Sequence, residues 1–445
     1  MELFQKIKAQ VFLKRQRLVP VIVFLIVVLV AGMGTIIFSK IPKGEDWKIE
    51  EGNLQFARGA HMGTYGDFNQ NLVKSFDPDY FEYLRGLGAN WVGISVALFV
   101  DDSLDSTVER KYQGVDVPTY KDDDLRRLIR ELRDRGFHVY LTLALEDAGI
   151  SGTHPYHRSQ LGLPQEDGSD WPWNENHPDR TQFVSEFWRS YSENAVHFAQ
   201  IAQEEGVEMY SLGTETEGLF RTRDFNSEKG GFIKEIGSML SAVRQAYQGK
   251  VTYDMHAAAI DGRVYYHQIA KLLWEDINFD VIGISAYFSV LENLPNGDTK
   301  VSEFERGWQR IFENYLIPLA SKYPDKPLMF LEYSNKTSLY AGYEGEMLEN
   351  VYEPNNLYER NLVDRNGNSI DDAQEQQANM HQALFNVIAR NEGVLDGIFF
   401  WGEDFWDKGL GGLGYWDVGY WDEEGARGKE AEKMISKWYQ ESRSK

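Results

Sequence analysis

The sequence lacks cysteine altogether, since none of its 445 residues is a Cys. This absence excludes disulfide bonds, thiolate metal sites and a cysteine nucleophile. Motifs that bind nucleotides are missing as well. No Gly-x-Gly-x-x-Gly follows the first strand-like segment, and no glycine-rich loop ends in Lys-Ser or Lys-Thr. The sequence also has no Gly-x-Ser-x-Gly elbow, which argues against a serine hydrolase.

Acidic residues far outnumber basic ones outside the N-terminus. Residues 1–40 hold six of the 46 Lys and Arg and one of the 69 acids, which leaves 40 basic and 68 acidic residues and a net charge of −28 in residues 41–445. Such a charge repels phosphate backbones, so the sequence argues against nucleic acid as a partner. It suits an enzyme that acts on a neutral or cationic substrate, or serves only to keep the protein soluble.

No charged residue occurs from Leu18 to Ser39. This apolar run is long enough to cross a bilayer, which takes roughly 20 residues. Five Lys and Arg precede it, so the positive-inside rule places residues 1–17 in the cytoplasm and the rest of the chain outside. A cleaved signal peptide is the alternative, but the run exceeds a signal core of roughly 7–15 residues and no Ala-x-Ala-like site is present.

We therefore predict a single-pass protein of the cell membrane. Residues 1–17 form a basic cytoplasmic N-terminus, 18–39 a transmembrane anchor that contacts the lipid bilayer, and 40–50 a linker. Residues 51–445 form the extracytoplasmic domain.

Strand-like and helix-like segments alternate through that domain. Helical spacing is clearest in residues 122–136, where apolar residues recur behind three aspartates and a glycine follows. Because strands that alternate with helices form a parallel sheet, eight such units predict an α/β fold, a (β/α)8 TIM barrel. The eight strand-like segments are 53–62, 89–99, 137–145, 207–213, 250–258, 279–287, 326–334 and 395–402. All but one are clearly followed by a helix.

Glutamates end the fourth and seventh strands. Strict alternation of side chains predicts that Glu215 and Glu332 both point into the barrel at its carboxyl-terminal end. Two facing carboxyls suit glycoside hydrolysis, in which one gives a proton to the leaving oxygen and the other attacks the anomeric carbon. A structural ion pair, or two solvated loop carboxylates, is the alternative. The predicted inward faces comprise Met209, Ser211 and Gly213 before Glu215, and Leu328 and Phe330 before Glu332.

Four segments, in this order, resemble the retaining barrel glycosidases that carry acid/base and nucleophile on strands four and seven. They are LGTE at 212–215, GISAY at 283–287, FLEYS at 330–334 and FFWGED at 399–404. Within that clan the chain is most similar to glycoside hydrolase family 113, the β-mannanase family. The resemblance covers most of residues 50–440.

The resemblance implies Glu215 as acid/base and Glu332 as nucleophile. It also implies that Tyr287 lies near the nucleophile and that Trp401 lies under the sugar, with core packing as the alternative for the tryptophan. His256 ends the fifth strand, where an inward imidazole could contact a sugar hydroxyl or satisfy a structural hydrogen bond.

The chain departs from the clan in two respects. Thr214 stands where the clan usually has Asn, and its hydroxyl can still bond a sugar 2-hydroxyl. The long connections 146–180 and 335–372 differ from those of a minimal mannanase and leave the substrate open. Glu217, Glu403 and Asp404 also lie near the predicted mouth, so another assignment of the two catalytic roles stays open.

Residues 364–375 resemble a calcium loop. Oxygen ligands stand at Asp364, Asn366 and Asn368, but Ser369 replaces the glycine expected at the sixth position. A polar loop leading to a helix capped by Asp372 is the alternative. Hydrolysis by two carboxylates needs no metal ion or organic cofactor, and we expect none.

The sequence thus predicts a membrane-anchored, outward-facing, retaining glycoside hydrolase that cleaves a β-linked polysaccharide, with β-mannan as the first expectation. The alternative is a non-catalytic carbohydrate-binding barrel that scaffolds a surface polysaccharide assembly.

Overall fold

Eight parallel strands close into a barrel in the computed structural model. Each strand pairs with the next, and the first pairs with the last. The strands are β1 (Ala57–Met62), β2 (Trp91–Val100), β3 (His138–Asp147), β4 (Met209–Thr214), β5 (Lys250–His256), β6 (Ile282–Ser285), β7 (Leu328–Tyr333) and β8 (Gly397–Phe400). The predicted TIM barrel is confirmed.

The helices follow the strands. They are α1 (Pro78–Leu87), α2 (Asp122–Asp134), α3 (Arg180–Glu205), α4 (Ile233–Ala246), α5 (Ala257–Asp261), α6 (Val301–Ile311), α7 (Ile317–Lys322), α8 (Ile370–Arg390) and α9 (Glu430–Glu441). A π-helical segment, Phe312–Leu316, joins α6 to α7.

The structure describes residues 56–62, 78–100, 105–110, 121–147, 161–162, 172–174, 177–220, 232–262, 272–293, 295, 297–335, 341–343, 370–401 and 430–441. No helix within these ranges is long and apolar enough to span a bilayer. The predicted cytoplasmic N-terminus, anchor and linker lie outside them, as do Glu403, Asp404 and residues 364–369 of the calcium-like loop. The described residues fall within one compact unit, Leu54–Lys445.

Helix α8 begins at Ile370, so Asp372 lies in its first turn and not before it, where the cap was predicted. A 3-10 turn, Leu273–Glu275, precedes β6. Helix α1 is the one that the alternation of segments did not make clear; among its described side chains, Phe81, Leu84 and Leu87 are buried.

The core has two apolar layers. One lies between the strands and the helices, and α2 contributes Leu125, Leu128, Ile129 and Leu132 to it, as the sequence predicts. A smaller cluster contains the inward-facing side chains of the strands. That inner cluster consists of Ala57, Trp91, Tyr140, Met209, Val281, Met329, Leu331 and Phe399.

A buried histidine ties α8 to the barrel wall. His381 Nδ1 lies 3.0 Å from the Tyr333 hydroxyl of β7, and the imidazole packs edge-on against Phe400 of β8. Because the charged form is costly away from water, burial lowers the pKa of His381 to about 3. Between about pH 6.5 and about pH 4 the imidazole is therefore neutral in the folded protein, whereas in the unfolded chain it is protonated.

We predict that His381 makes the protein less stable as the pH falls below about 6.5. The unfolded state then binds a proton that the folded state does not, so the free energy of unfolding decreases with decreasing pH. Relative to His381→Asn, wild type should lose about 2 kcal/mol between pH 7.5 and about pH 5. Denaturant unfolding of both proteins across this range measures the difference. His177→Asn, outside the core, is the control, and parallel curves for wild type and His381→Asn would contradict the prediction.

Candidate active site

The barrel brings Glu215 and Glu332 together, as the sequence predicts. Glu215 directly follows β4, Glu332 lies near the end of β7, and both are almost fully buried. The Ser285 hydroxyl at the end of β6 lies 2.5 Å from Glu215 Oε1 and 3.5 Å from Glu332 Oε2. Those two carboxylate oxygens are therefore no more than 6.0 Å apart, the sum of the two distances.

Strand β4 reaches this arrangement through a break in its alternation. Its register with β5 shifts between Ser211 and Thr214. A Cβ on Gly213 would come within 2.7 Å of the Tyr191 hydroxyl in the outer layer, so Gly213 does not share the inward face. The prediction for Gly213 is thus wrong, because the shift turns Thr214 inward instead.

Glu215 points inward for a separate reason. Its φ of 52° is the one positive value among the described residues other than glycine. This left-handed conformation reverses the direction of the side chain, so Thr214 and Glu215 both face the mouth of the barrel. A non-glycine residue in this conformation costs about 1–2 kcal/mol, and such strain is concentrated at functional sites.

Strand β7 contains a second break. Leu328 and Phe330 belong to the outer layer, whereas Met329 and Leu331 are in the inner cluster, so the predicted inward face is wrong for the first two. A register shift against β6 then pairs Glu332 with Ser285. Leu331 and Glu332 consequently both turn inward, and the glutamate reaches the site despite the strand's regular alternation.

His61 of β1 supports this irregular part of β7 from inside the barrel. Its Nε2 lies 2.7 Å from the carbonyl oxygen of Leu331, the residue that precedes Glu332. Burial lowers the pKa of His61 to about 4, while the contact with Leu331 raises it slightly, so the ring is neutral at neutral pH and Nε2 carries the donated proton.

Trp401 follows β8 and packs against the same histidine. The two ring centroids are 4.9 Å apart, and the tryptophan is almost fully buried. The Trp401 backbone N–H donates to the Tyr333 carbonyl across the β7–β8 pair. His61 therefore contacts both the strand that carries Glu332 and the predicted sugar platform.

His256 and Tyr287 lie at the mouth, beside Glu215. The His256 Nδ1 accepts the Ala258 N–H, which leaves the proton on Nε2, 3.6 Å from Glu215 Oε1. The Tyr287 ring stacks on the imidazole, with centroids 5.9 Å apart and planes inclined by 19°. His256 thus faces inward, as predicted, and makes a structural hydrogen bond as well.

Glu217 occupies a different position. It begins a 3-10 turn, Glu217–Phe220, and is fully buried. Its Oε1 accepts the backbone N–H of His256 at 2.6 Å, so this carboxyl ties the end of β5 to the segment that follows β4.

The sequence reasoning missed Asp254. This residue is fully buried on β5, and Thr214 Oγ1 lies 3.3 Å from its Oδ2 and 3.2 Å from Glu332 Oε1. Burial raises the pKa of Asp254 well above its ordinary value, and the charges of Glu332, Glu215 and Glu217 raise it further. The alternation of side chains along β5 could have predicted it. Residues two positions apart share a face, so an inward His256 implies an inward Asp254.

In the part of the chain that the structure describes, no group of three or more His, Asp or Glu has the arrangement to hold an ion.

A comparison with protein-family models matches residues 60–408 to Glycoside Hydrolase Family 113. The chain belongs to this family. Family 113 is thus confirmed as the family that the strand motifs indicated, and the chain is a glycoside hydrolase. A comparison with curated protein sequences finds no match.

Solved structures of the family have the same fold. A GH113 β-1,4-mannanase complex is 18% identical with a TM-score of 0.57, covering 87% of this chain and 99% of the mannanase. The GH113 β-mannanase AaManA from Alicyclobacillus acidocaldarius in complex with ManMIm is 16% identical with a TM-score of 0.55, covering 88% and 99%.

We predict that the left-handed backbone at residue 215 can be detected by comparing two variants that both lack the carboxylate. Glu215→Gly should be more stable than Glu215→Ala by about 1 kcal/mol, because glycine adopts this conformation without strain. Urea unfolding of the two proteins measures the difference. An alanine variant as stable as the glycine variant would show that residue 215 is unstrained.

Proposed function

We propose that the protein is a retaining glycoside hydrolase that cleaves β-mannan, with Glu332 as nucleophile and Glu215 as acid/base. The observation that supports it most directly is the contact of both carboxyls with Ser285 Oγ. Retaining enzymes hold their two carboxyl groups roughly 5–5.5 Å apart and inverting enzymes roughly 6.5–9.5 Å. An upper bound of 6.0 Å between Glu215 Oε1 and Glu332 Oε2 favours retention.

The reaction has two steps. In the first, the Glu332 carboxylate attacks the anomeric carbon while Glu215 donates its proton to the leaving oxygen, which yields a glycosyl ester of Glu332 and a shortened chain. In the second, Glu215 removes a proton from water as that water attacks the same carbon, which releases the sugar and restores both glutamates.

The contacts of each glutamate favour this division of roles. The Thr214 hydroxyl lies 3.2 Å from Glu332 Oε1, and a hydrogen bond to a carboxylate favours its ionised form. Ser285 Oγ lies 2.5 Å from Glu215 Oε1 and 3.5 Å from Glu332 Oε2, so a protonated Glu215 can donate to Ser285 while Ser285 donates to Glu332. Glu215 lies near the neutral imidazole of His256, which contributes no positive charge to hold the glutamate ionised. Glu217 already accepts the His256 backbone N–H, so we give it a structural role.

The substrate proposal follows from the family's solved structures and from charge. The solved relatives within the family include a β-1,4-mannanase and a β-mannanase. A net charge of −28 in residues 41–445 disfavours acidic polysaccharides and is compatible with a neutral mannan. We place the Trp401 ring under the sugar, where its face would cover the apolar C–H patch of a pyranose.

We predict that turnover depends on Glu332 and Glu215 and not on Glu217. Glu332→Ala should lower kcat by at least about 10⁴-fold, because no covalent intermediate can form. Glu215→Gln should lower it by about 10²–10⁴-fold through loss of proton transfer. The measurement is release of reducing ends from β-mannan, β-glucan, xylan and galactan by the purified full-length proteins.

Glu217→Gln is the matched control, since the amide oxygen can still accept the His256 N–H, and it should retain most of the activity. Equal losses in Glu215→Gln and Glu217→Gln would overturn the assignment. Binding of glycan without any release by wild type would support the non-catalytic scaffold instead.

We further propose that residues 18–39 anchor the enzyme in the cell membrane with the barrel outside. The support is the uncharged run from Leu18 to Ser39 behind five basic residues. Such an anchor confines the activity to polysaccharide at the cell envelope or to the cell's own exported polysaccharide.

We predict that the full-length protein sediments with membranes and resists extraction by high salt and by carbonate, because the apolar run is long enough to span the hydrocarbon core. Protease added to intact spheroplasts should digest the barrel and spare the N-terminus. Release of most of the protein into the medium, lacking residues 1–39, would indicate a cleaved signal peptide instead. Val28→Arg should weaken retention in the membrane, because a charge at the centre of the run is costly, and Lys43→Arg outside the run serves as the control.

A further inference from the structure

One hydroxyl at the site faces two carboxyl groups. Thr214 Oγ1 is 3.2 Å from Glu332 Oε1 and 3.3 Å from Asp254 Oδ2. A threonine hydroxyl carries a single proton, so it can donate to only one of them. If both carboxyls were ionised, the other oxygen would face the threonine oxygen with no proton between them. The geometry is satisfied when one of the carboxyls carries the second proton.

Asp254 is the carboxyl placed to carry it. It is fully buried, and its Oδ1 has no hydrogen-bond partner in the described part of the chain, which would be costly for an ionised group. The titratable groups whose charges act on Asp254 are three acids and a phenol. They are Glu332 of β7, Glu215 and Glu217 after β4, and Tyr140 of β3.

Asp254 also contacts the acid/base segment through its backbone. Its carbonyl oxygen accepts the N–H of Glu215 at 3.0 Å, and the residue pairs with Thr214 in the β4–β5 ladder. The same residue thus holds the strained backbone at position 215 and, through Thr214, the carboxylate of Glu332.

We propose that Asp254 is a positioning residue that remains protonated in the folded enzyme and donates to Thr214, which in turn donates to Glu332. The chain of two hydrogen bonds fixes the orientation of the Thr214 hydroxyl and keeps Glu332 ionised. The direction of the Asp254 pKa, raised by burial and by three neighbouring glutamates, agrees with this arrangement. The inference rests on the proposed role of Glu332 as nucleophile.

Asp254→Asn tests the proposal directly, because the amide is neutral and can donate to Thr214 as a protonated carboxyl does. In a plot of kcat/KM against pH, the fall at low pH (the acid limb) reports ionisation of the nucleophile in the free enzyme. The pH of this fall should be the same in the variant as in wild type. If Asp254 were ionised, its replacement would remove a negative charge beside Glu332, and the limb would move downward by about one pH unit or more. That outcome would overturn the proposal.

Thr214 supplies a second pair of variants, which decides alone if Asp254→Asn fails to fold. Thr214→Val removes the donor to Glu332, so the acid limb should move upward by about one pH unit or more and kcat/KM should fall by about 10- to 100-fold. Thr214→Ser keeps the hydroxyl and should restore both. An unmoved limb in the valine variant would contradict the hydrogen-bond chain.

Infrared spectroscopy provides a readout that needs no turnover. The difference spectrum of wild type minus Asp254→Asn at neutral pH should show the carbonyl stretch of one protonated carboxyl, and a carboxylate band in its place would refute the proposal. If Glu332 were not the nucleophile, Glu332→Ala would keep its turnover while the infrared band persisted. Failure of the proposed function and failure of this inference would therefore give different results.

Discussion

Repulsion among four buried carboxyl groups is the constraint on which the site depends. Glu215, Glu217, Asp254 and Glu332 crowd the carboxyl-terminal end of the barrel. Hydroxyls, an imidazole and a backbone N–H stand among them and give each acid different partners. Because like charges in a low-dielectric site cannot all be ionised, different partners separate the carboxyls into proton donors and anions. That separation is what acid/base chemistry at a glycosidic bond requires.

The strands meet this constraint by breaking their own regularity. A regular strand directs only alternate side chains inward. Without their breaks, β4 and β7 would each place only one of two consecutive end residues in the site. Register shifts in β4 and β7 turn Thr214 and Glu332 inward, and the left-handed backbone at Glu215 adds that side chain to the same face. His61 holds the carbonyl of the irregular β7 segment, and its ring packs on Trp401. Backbone strain persists only where the surrounding packing holds it, and here apolar layers lie on both sides of the strands.

The alternation of apolar strands and amphipathic helices was enough to predict the barrel, and the two glutamates followed from their places at strand ends. The reasoning from parity nevertheless failed for Gly213, Leu328 and Phe330. A register shift arises from pairing with a neighbouring strand, so a period-two pattern in one strand does not reveal it. Asp254 was not predicted because only acids at or just beyond the ends of strands were considered, and this residue lies within β5. The interior serine, Ser285, carried no signal of its own, since a lone hydroxyl in a strand is most often structural.

The central claim is that Glu332 forms the covalent intermediate while Glu215 transfers the proton. The most direct test is to incubate the enzyme with a 2-deoxy-2-fluoro-β-mannoside that carries an activated leaving group, then digest it and identify the labelled peptide by mass spectrometry. Fluorine at the 2-position destabilises the positively charged transition states, so the glycosyl ester should accumulate. The account predicts one sugar on Glu332. A label on Glu215, Glu217 or a residue of 402–429 would contradict it.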